Sequence, residues 1–227
     1  MPAEDFDPGR GPLMAIYQGL LAAYGPRDWW PAETPFEVAV GAVLTQNTNW
    51  GNVERAIARL RAAGRLDCQA ILALPQPELA ELIRPAGYYN LKADRLQSLC
   101  RFIADAGGME GLAERPTGAL RAELLAVRGV GPETADDILL YALDRPVFVI
   151  DAYTRRLLAR HGLARGDEPY EALRAGFEKA LPPEVSLFKE YHALIVEHAK
   201  QACRKRPACE GCALTHACAR RGVPDAG

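Results

Sequence analysis

Val127-Arg128-Gly129-Val130-Gly131-Pro132-Glu133-Thr134-Ala135 is the stretch on which the fold of this 227-residue chain turns. It joins two apolar-periodic segments, which predicts two helices linked through a G-V-G turn, with Pro132 at the first position of the second helix. Glycines in such a turn let the backbone approach a partner closely, and the free amides of a helix N-terminus face outward, so the turn is a candidate anion site. Standing alone, G-x-G is also an ordinary tight link between helices. The next landmark is Pro146-Val147-Phe148-Val149-Ile150-Asp151, the one segment with strand-like character. A single short apolar run with no partner predicts a buried extended connector and not a sheet. It delivers one carboxylate, Asp151, to the start of a further helix, a position where aspartate commonly caps.

Outward from these landmarks every periodic segment is helical. Leu13, Ile16, Tyr17, Leu20, Leu21 and Tyr24 share one stripe, closed by Gly25-Pro26. Thr34, Pro35 and Glu37 make a T-x-x-E capping box before the apolar run Phe36 to Leu44, in a helix expected to end near Gln46-Asn47-Thr48. Trp50, Val53, Ile57 and Leu60 repeat at helical spacing up to Gly64, and a short helix is expected from Asp67 to Leu74. Pro75 and Pro77 stop and restart the chain, and Arg84-Pro85-Ala86-Gly87 is a break. Leu96, Leu99 and Ile103 mark another helix, Pro116 opens one through Leu120, Leu124 and Leu125, and helices return at Tyr153 to Arg160, Tyr170 to Leu181 and Leu187 to Gln201. The expectation is an all-α protein of roughly ten short helices, without internal repeats.

Composition narrows the function classes. With 49% hydrophobic and 25% charged residues the chain can bury a sizeable core, which excludes a disordered protein. The uncharged stretch Gly11 to Pro26 is too short to span a bilayer, and Met1 to Arg10, carrying Glu4, Asp5 and Asp7, has no apolar leader core. A cytoplasmic protein with no membrane contact is expected. The net charge of −2 does not announce a nucleic-acid binder, but Lys200, Arg204, Lys205, Arg206, Arg220 and Arg221 outweigh Glu210 and Asp225 in the tail. Only five of the 27 basic residues are lysines: Lys92, Lys179, Lys189, Lys200 and Lys205.

That basic tail also holds Cys203, Cys209, Cys212 and Cys218, spaced C-x5-C-x2-C-x5-C. Four thiols so close in a cytoplasmic chain predict a metal site and not disulfides, and both zinc and iron-sulfur accept four thiolates. Cys68 and Cys100 stand on helical patterns and are expected to be buried structural thiols.

The order hairpin, helix, connector, aspartate, with the cysteine tail behind it, resembles the helix-hairpin-helix DNA glycosylases, and in particular the endonuclease III branch. The resemblance runs from about residue 13 to 218 and implies two helical domains, 34–143 and 1–33 with 144–227, with a DNA cleft between them. It implies a catalytic role for Asp151, whose carboxylate would stabilise an oxocarbenium-like sugar and help position or deprotonate water. Where bifunctional members carry an amine in the hairpin-to-helix turn, this chain has Glu133, which cannot form an imine, so lyase activity is expected to be weak or absent.

The same resemblance makes Gln46 the side chain that fills the gap left by a flipped nucleotide. It makes Arg128, Gly129, Val130 and Gly131 the phosphate-facing hairpin, and the four cysteines the ligands of a [4Fe-4S] cluster. The first cysteine gap is five residues where the branch has six. A metal-tied loop would hold Arg204, Lys205 and Arg206 toward the DNA backbone.

Trp29-Trp30-Pro31, the segment around Trp50, and Arg84 to Asn90 look like the branch that excises 3-methyladenine, which makes Trp29, Trp30, Pro31 and Trp50 candidates for the base pocket. Alkylated purines are cationic and stack well on electron-rich rings. His192, Glu197 and Lys200 match that branch, whereas Leu194 stands at its pocket lysine. The expected function is a monofunctional glycosylase acting as a monomer on double-stranded damaged DNA, cytoplasmic and nucleoid-associated. Oxidised pyrimidines are the alternative substrate, and a non-catalytic iron-sulfur DNA-binding protein or a zinc-stabilised helical module the alternative classes.

Overall fold

The computed structural model of the chain describes residues 6–27 and 29–223. Glu4, Asp5 and Asp225 of the charge pattern lie outside them. Among the described residues no strand forms and no helix is long and apolar enough to cross a membrane. The helices are α1 (Arg10–Tyr24), α2 (Pro35–Leu44), α3 (Trp50–Ala62), α4 (Cys68–Leu72), α5 (Gln76–Leu82), α6 (Tyr89–Asp105), α7 (Gly108–Ala113), α8 (Thr117–Ala126), α9 (Pro132–Asp137), α10 (Ala152–His161), α11 (Tyr170–Ala180) and α12 (Val185–Gln201).

The expectation of about ten helices misses two short ones. Pro77 sits in the first turn of α5, where proline is tolerated, so the restart expected at Pro75 and Pro77 is itself a short helix. The α7 sequence, GMEGLA, is too short to show a period and buries only Leu112. The Arg84–Ala86 break is a single 3-10 turn, and α9 runs on into a π turn, Ile138–Ala142.

The chain divides into two compact units, Met1–Trp29 with Pro146–Gly227, and Trp30–Arg145. In the second unit α2 is the central element, buried from Glu37 to Leu44 and packed on the π turn, α3, α6 and α9. The Thr34 hydroxyl accepts the Glu37 amide at 3.1 Å, as the capping box predicts. The Glu37 carboxylate does not reciprocate to Thr34. It takes the Glu33 amide at 3.2 Å and Nη2 of Arg61 through both oxygens at 2.8 Å. A 4% exposed carboxylate needs a cationic partner more than the box needs closing.

Helices α8 and α9 form the hairpin, and a buried fork holds them together. Arg121 donates from Nε and Nη2 to the two oxygens of Asp136 at 2.6 and 3.0 Å, and Asp136 is fully buried. Arg121→Met would remove both bonds of that fork from a fully buried carboxylate. A loss of about 3–5 kcal/mol is expected from breaking one side of a buried pair. Thermal denaturation should show it as a fall in Tm of roughly 10 °C, and an unchanged Tm would mean that the fork contributes nothing to holding the hairpin.

The first unit gathers α1 and α10 on α12. Its centre is Phe148, stacked on Phe177 with centroids 4.0 Å apart and edge-on to Phe188 and Tyr191. Pro146 to Ile150 is an extended connector, and Val147 to Ile150 are all buried. An extended segment without a neighbouring strand must find other acceptors for its amides. Phe148 N–H donates to the Glu178 carboxylate at 3.0 Å and Ile150 N–H to the Tyr170 hydroxyl at 3.3 Å. Side chains of α11 thus replace a sheet and hold the connector that ends at Asp151.

Candidate functional site

In the Trp30–Arg145 unit the hairpin turn begins where Val127 leaves α8 in an extended conformation. Gly129 has φ +89°, and Gly131 is extended at the start of α9. Arg128, Gly131 and Glu133 are exposed. Val130 is not: it is 6% exposed and its amide donates to Val127 O at 3.0 Å. The Val130 side chain therefore anchors the turn from inside, within the hairpin segment expected to face phosphate. Glu133 lies on the first turn of α9, where a carboxylate complements the helix dipole.

Gln46 follows α2 and reaches this hairpin across more than eighty residues of sequence. Its Nε2 donates to Gly129 O at 3.0 Å and to the Thr134 hydroxyl at 2.9 Å, and Arg95 Nη1 donates to its Oε1. Neither Arg95 nor Thr134 stands out in the sequence. Lys92 was also missed, although its signal was available: it lies four residues before Leu96 on the stripe that continues through Leu99 and Ile103. It is 1% exposed and donates from Nζ to Leu44 O at 2.8 Å and Ala86 O at 2.7 Å. Burial, reinforced by the Arg95 charge, pushes this ammonium down to about 8. Lys92 staples the end of α2, just before Gln46, to the Arg84–Ala86 turn.

The base-pocket candidates separate. Trp30 stands over Gly41, where a Cβ would lie 3.1 Å from its ring, and packs edge-on against Trp50 at 5.0 Å and tilted against Tyr141 at 5.1 Å. Pro31 and Trp50 line a cavity of about 410 Å³ together with Glu33, Glu37, Glu54 and Arg61. Trp50 Nε1 donates to Glu54 at 2.9 Å. Trp30 thus supports Trp50, and the cavity carries more carboxylates than cations. Trp29 belongs to the other unit, where the Lys200 ammonium sits 5.4 Å from its ring centroid. Tyr88, in the Arg84 to Asn90 segment, is 70% exposed with φ +45°, an aromatic ring presented at some backbone cost.

In the first unit Asp151 is the N-cap of α10. Its Oδ1 accepts the Thr154 amide at 2.7 Å, and its Oδ2 lies 3.6 Å from Nε2 of His192 on α12. The residue is 9% exposed. Burial alone would raise the carboxyl, but the imidazole of His192 and the Thr154 donors act against it and hold it below its ordinary value. Asp151 is therefore an ionised, oriented carboxylate at neutral pH, and capping is what orients it.

The cysteine tail is organised around α10. Arg160 donates from Nη1 to Cys203 Sγ at 3.1 Å and to Arg204 O at 2.7 Å, and from Nη2 to Lys205 O at 3.2 Å, while Arg156 donates to Cys203 O at 2.7 Å. Cys218 Sγ donates to Arg160 O at 3.4 Å, and Cys212 Sγ lies 3.9 Å from His198 Nε2. Burial, together with Cys203, Cys212 and Cys209, raises the Cys218 thiol. Among the described residues no three His, Cys, Asp or Glu side chains converge on a single ion. Four thiols on one loop, with Cys203 held by Arg160, are a donor set of the chemistry that a thiolate-held metal group such as [4Fe-4S] takes. Arg204, Lys205 and Arg206 are exposed on this loop with two of their carbonyls clamped by Arg160. Cys68 and Cys100, far apart in sequence, meet: Cys68 Sγ donates to Cys100 O at 3.1 Å and burial raises both thiols, but only Cys100 is buried as expected, Cys68 being partly exposed.

A hairpin presenting glycine backbone and Arg128, a glutamine seated on it, and a capped, ionised aspartate after an apolar connector define a class. The chain belongs to the HhH-GPD superfamily of base excision DNA repair proteins, whose family model matches residues 40–183. It is a base excision repair DNA glycosylase of the endonuclease III kind. It is 52% identical over 209 residues, 91% of this chain and 95% of the relative, to the presumptive DNA repair glycosylase of Methanocaldococcus jannaschii. Among solved structures it is similar to the 3-methyladenine DNA glycosylase of H. pylori bound to 1,N6-ethenoadenine, with TM-score 0.73 and 32% identity over 83% of this chain and 95% of that one. It is also similar to endonuclease III in a non-covalent DNA complex, with TM-score 0.78 and 25% identity over 91% and 93%.

Proposed function

We propose that this protein is a monofunctional glycosylase that removes an alkylated purine such as 3-methyladenine from double-stranded DNA, acting as a monomer in the cytoplasm on nucleoid DNA. The observation that carries the reading is Asp151, buried, ionised and fixed by Thr154 and His192. As the glycosidic bond breaks, the electron pair leaves with the base and positive charge develops on the sugar, which the Asp151 carboxylate stabilises. Asp151 then takes a proton from the water that adds to the anomeric carbon. A base that is already cationic leaves neutral, so no separate acid is required. Glu133 cannot replace water as the nucleophile with an imine-forming amine, so the product is an intact strand with an abasic site.

The alkyl-purine choice is supported by the likeness to the H. pylori enzyme and by the Trp50 and Pro31 cavity, whose electron-rich ring and Glu54 suit a cationic base. Gln46, Arg128, Gly129 and Gly131 serve as the wedge and phosphate contacts. Arg204, Lys205 and Arg206 would add backbone contacts from a loop held by a [4Fe-4S] cluster on Cys203, Cys209, Cys212 and Cys218. Such a cluster, when bound, supplies an iron-thiolate crosslink of the loop and a yellow-brown colour with absorbance near ~400 nm. The cysteine tail and the endonuclease III likeness favour oxidised pyrimidines as the second reading.

The test compares methylated DNA with a thymine-glycol duplex. Release of 3-methyladenine, with strand breaks only after alkali, is the expected result. Thymine-glycol excision without methylpurine release would move the assignment to oxidised pyrimidines, and release from neither would leave a DNA-binding protein without this chemistry.

A further inference from the structure

The polar end of Gln46 is fully engaged inside the protein. Both carboxamide N–H groups are donated, to Gly129 O at 3.0 Å and the Thr134 hydroxyl at 2.9 Å, and the carbonyl accepts from Arg95. A side chain held this way cannot also fill the space left by a flipped nucleotide. Insertion requires that the contacts break, and the charge-assisted bond from Arg95 is the strongest of the three.

The position of Arg95 shows what could break it. Gly129 has φ +89°, and a Cβ there would lie 2.2 Å from Arg95 Cγ and 2.7 Å from Cδ. The aliphatic stem of Arg95 therefore lies across the hairpin glycine, and its guanidinium, bonded to Gln46, sits beside the turn read above as the phosphate contact. Arg95 is half-buried on α6, one turn from the buried Lys92 ammonium, so two like charges share this corner. Phosphate offers a guanidinium a full negative charge and paired acceptors, which a neutral carboxamide oxygen does not.

We propose that Arg95 is a positioning residue that parks Gln46 on the hairpin, and that a DNA phosphate arriving at the turn draws Arg95 away and releases Gln46 into the duplex. This rests on the reading of Gln46 as the wedge. The device ties wedge release to backbone capture, so free protein keeps its wedge stowed.

The experiment uses full-length protein and an undamaged duplex with a 2-aminopurine reporter, whose fluorescence rises on unstacking. Arg95→Met keeps the stem over Gly129 and removes the charge. Wild type must first exchange this charge-assisted hydrogen bond for a phosphate, so Arg95→Met is expected to raise the rate at which the unstacking signal appears on undamaged DNA by about ten-fold, and the salt slope of binding should fall by roughly one phosphate contact. A merely weakened fold can only lower that signal. Arg95→Lys, which keeps stem and charge but loses the planar fork, should fall between Met and wild type, and serves if Arg95→Met folds poorly.

The gain must vanish in the Gln46→Ala background. A gain that persists there, or an Arg95→Met signal at or below wild type, overturns the latch while Gln46 remains the wedge. If Gln46→Ala alone unstacks a lesion-containing duplex as fast as wild type, the wedge reading itself fails and the latch with it.

Discussion

Asp151→Asn is expected to lower single-turnover base release by about 10²–10⁴-fold, the range for removing a positioned acid-base group, while duplex affinity changes only a few-fold. Asparagine caps a helix as well as aspartate does, so the oxygen accepting the Thr154 amide at 2.7 Å is retained. What is lost is the negative charge, and with it the contact to His192 3.6 Å away. A stability loss of about 1–3 kcal/mol from that contact leaves the variant folded at assay temperature, and a melting curve run beside the kinetics verifies it.

The pH profile adds an independent check. The Asp151 carboxyl lies below its ordinary value of 3.8, so it stays ionised and contributes no acid limb to the rate until the pH falls past that range. The stability it contributes is likewise present above the ordinary value and lost as pH falls through the lowered one. Full base release by Asp151→Asn would reduce the residue to a cap.

The second large effect concerns what happens after the base has left. Wild-type protein is expected to give no borohydride-trappable complex with an abasic duplex, and strand cleavage without alkali at least about a hundred-fold slower than base release, because a carboxylate cannot form the imine that lyase chemistry requires. Glu133→Lys should gain trapping. Position 133 is exposed on the first turn of α9, and the positive end of the helix disfavours an ammonium there, which leaves more of the amine neutral. Trapping by the wild type would show that another amine reaches the sugar, and a Glu133→Lys protein that binds but never traps would show that position 133 lies out of reach.

Much of this molecule is legible in its residues because the signals are local. Thr34-Pro35 starts α2, Gly25-Pro26 closes α1, and Gly129 to Pro132 turns α8 into α9, each by backbone conformation and capping within a few residues. Asp151 is legible for the same reason: the cap and the apolar run before it are contiguous. The connector was recognisable as extended, but nothing local could say that Glu178 and Tyr170 would satisfy its amides. Short helices such as α7 escape because one turn and a half shows no period.

The sequence by itself determined the all-helical class, the hairpin, the capped aspartate, the glutamate at the turn and the four-cysteine spacing, all properties of neighbouring residues. Only the tertiary structure decided that Val130 faces inward, that Trp30 backs Trp50 while Trp29 lies with Lys200, that Lys92 is a buried staple, and that Arg95 holds Gln46 on the hairpin. Those are pairings between segments distant along the chain, and they form because a half-buried polar group takes whichever donor or acceptor the packing of helices brings within reach.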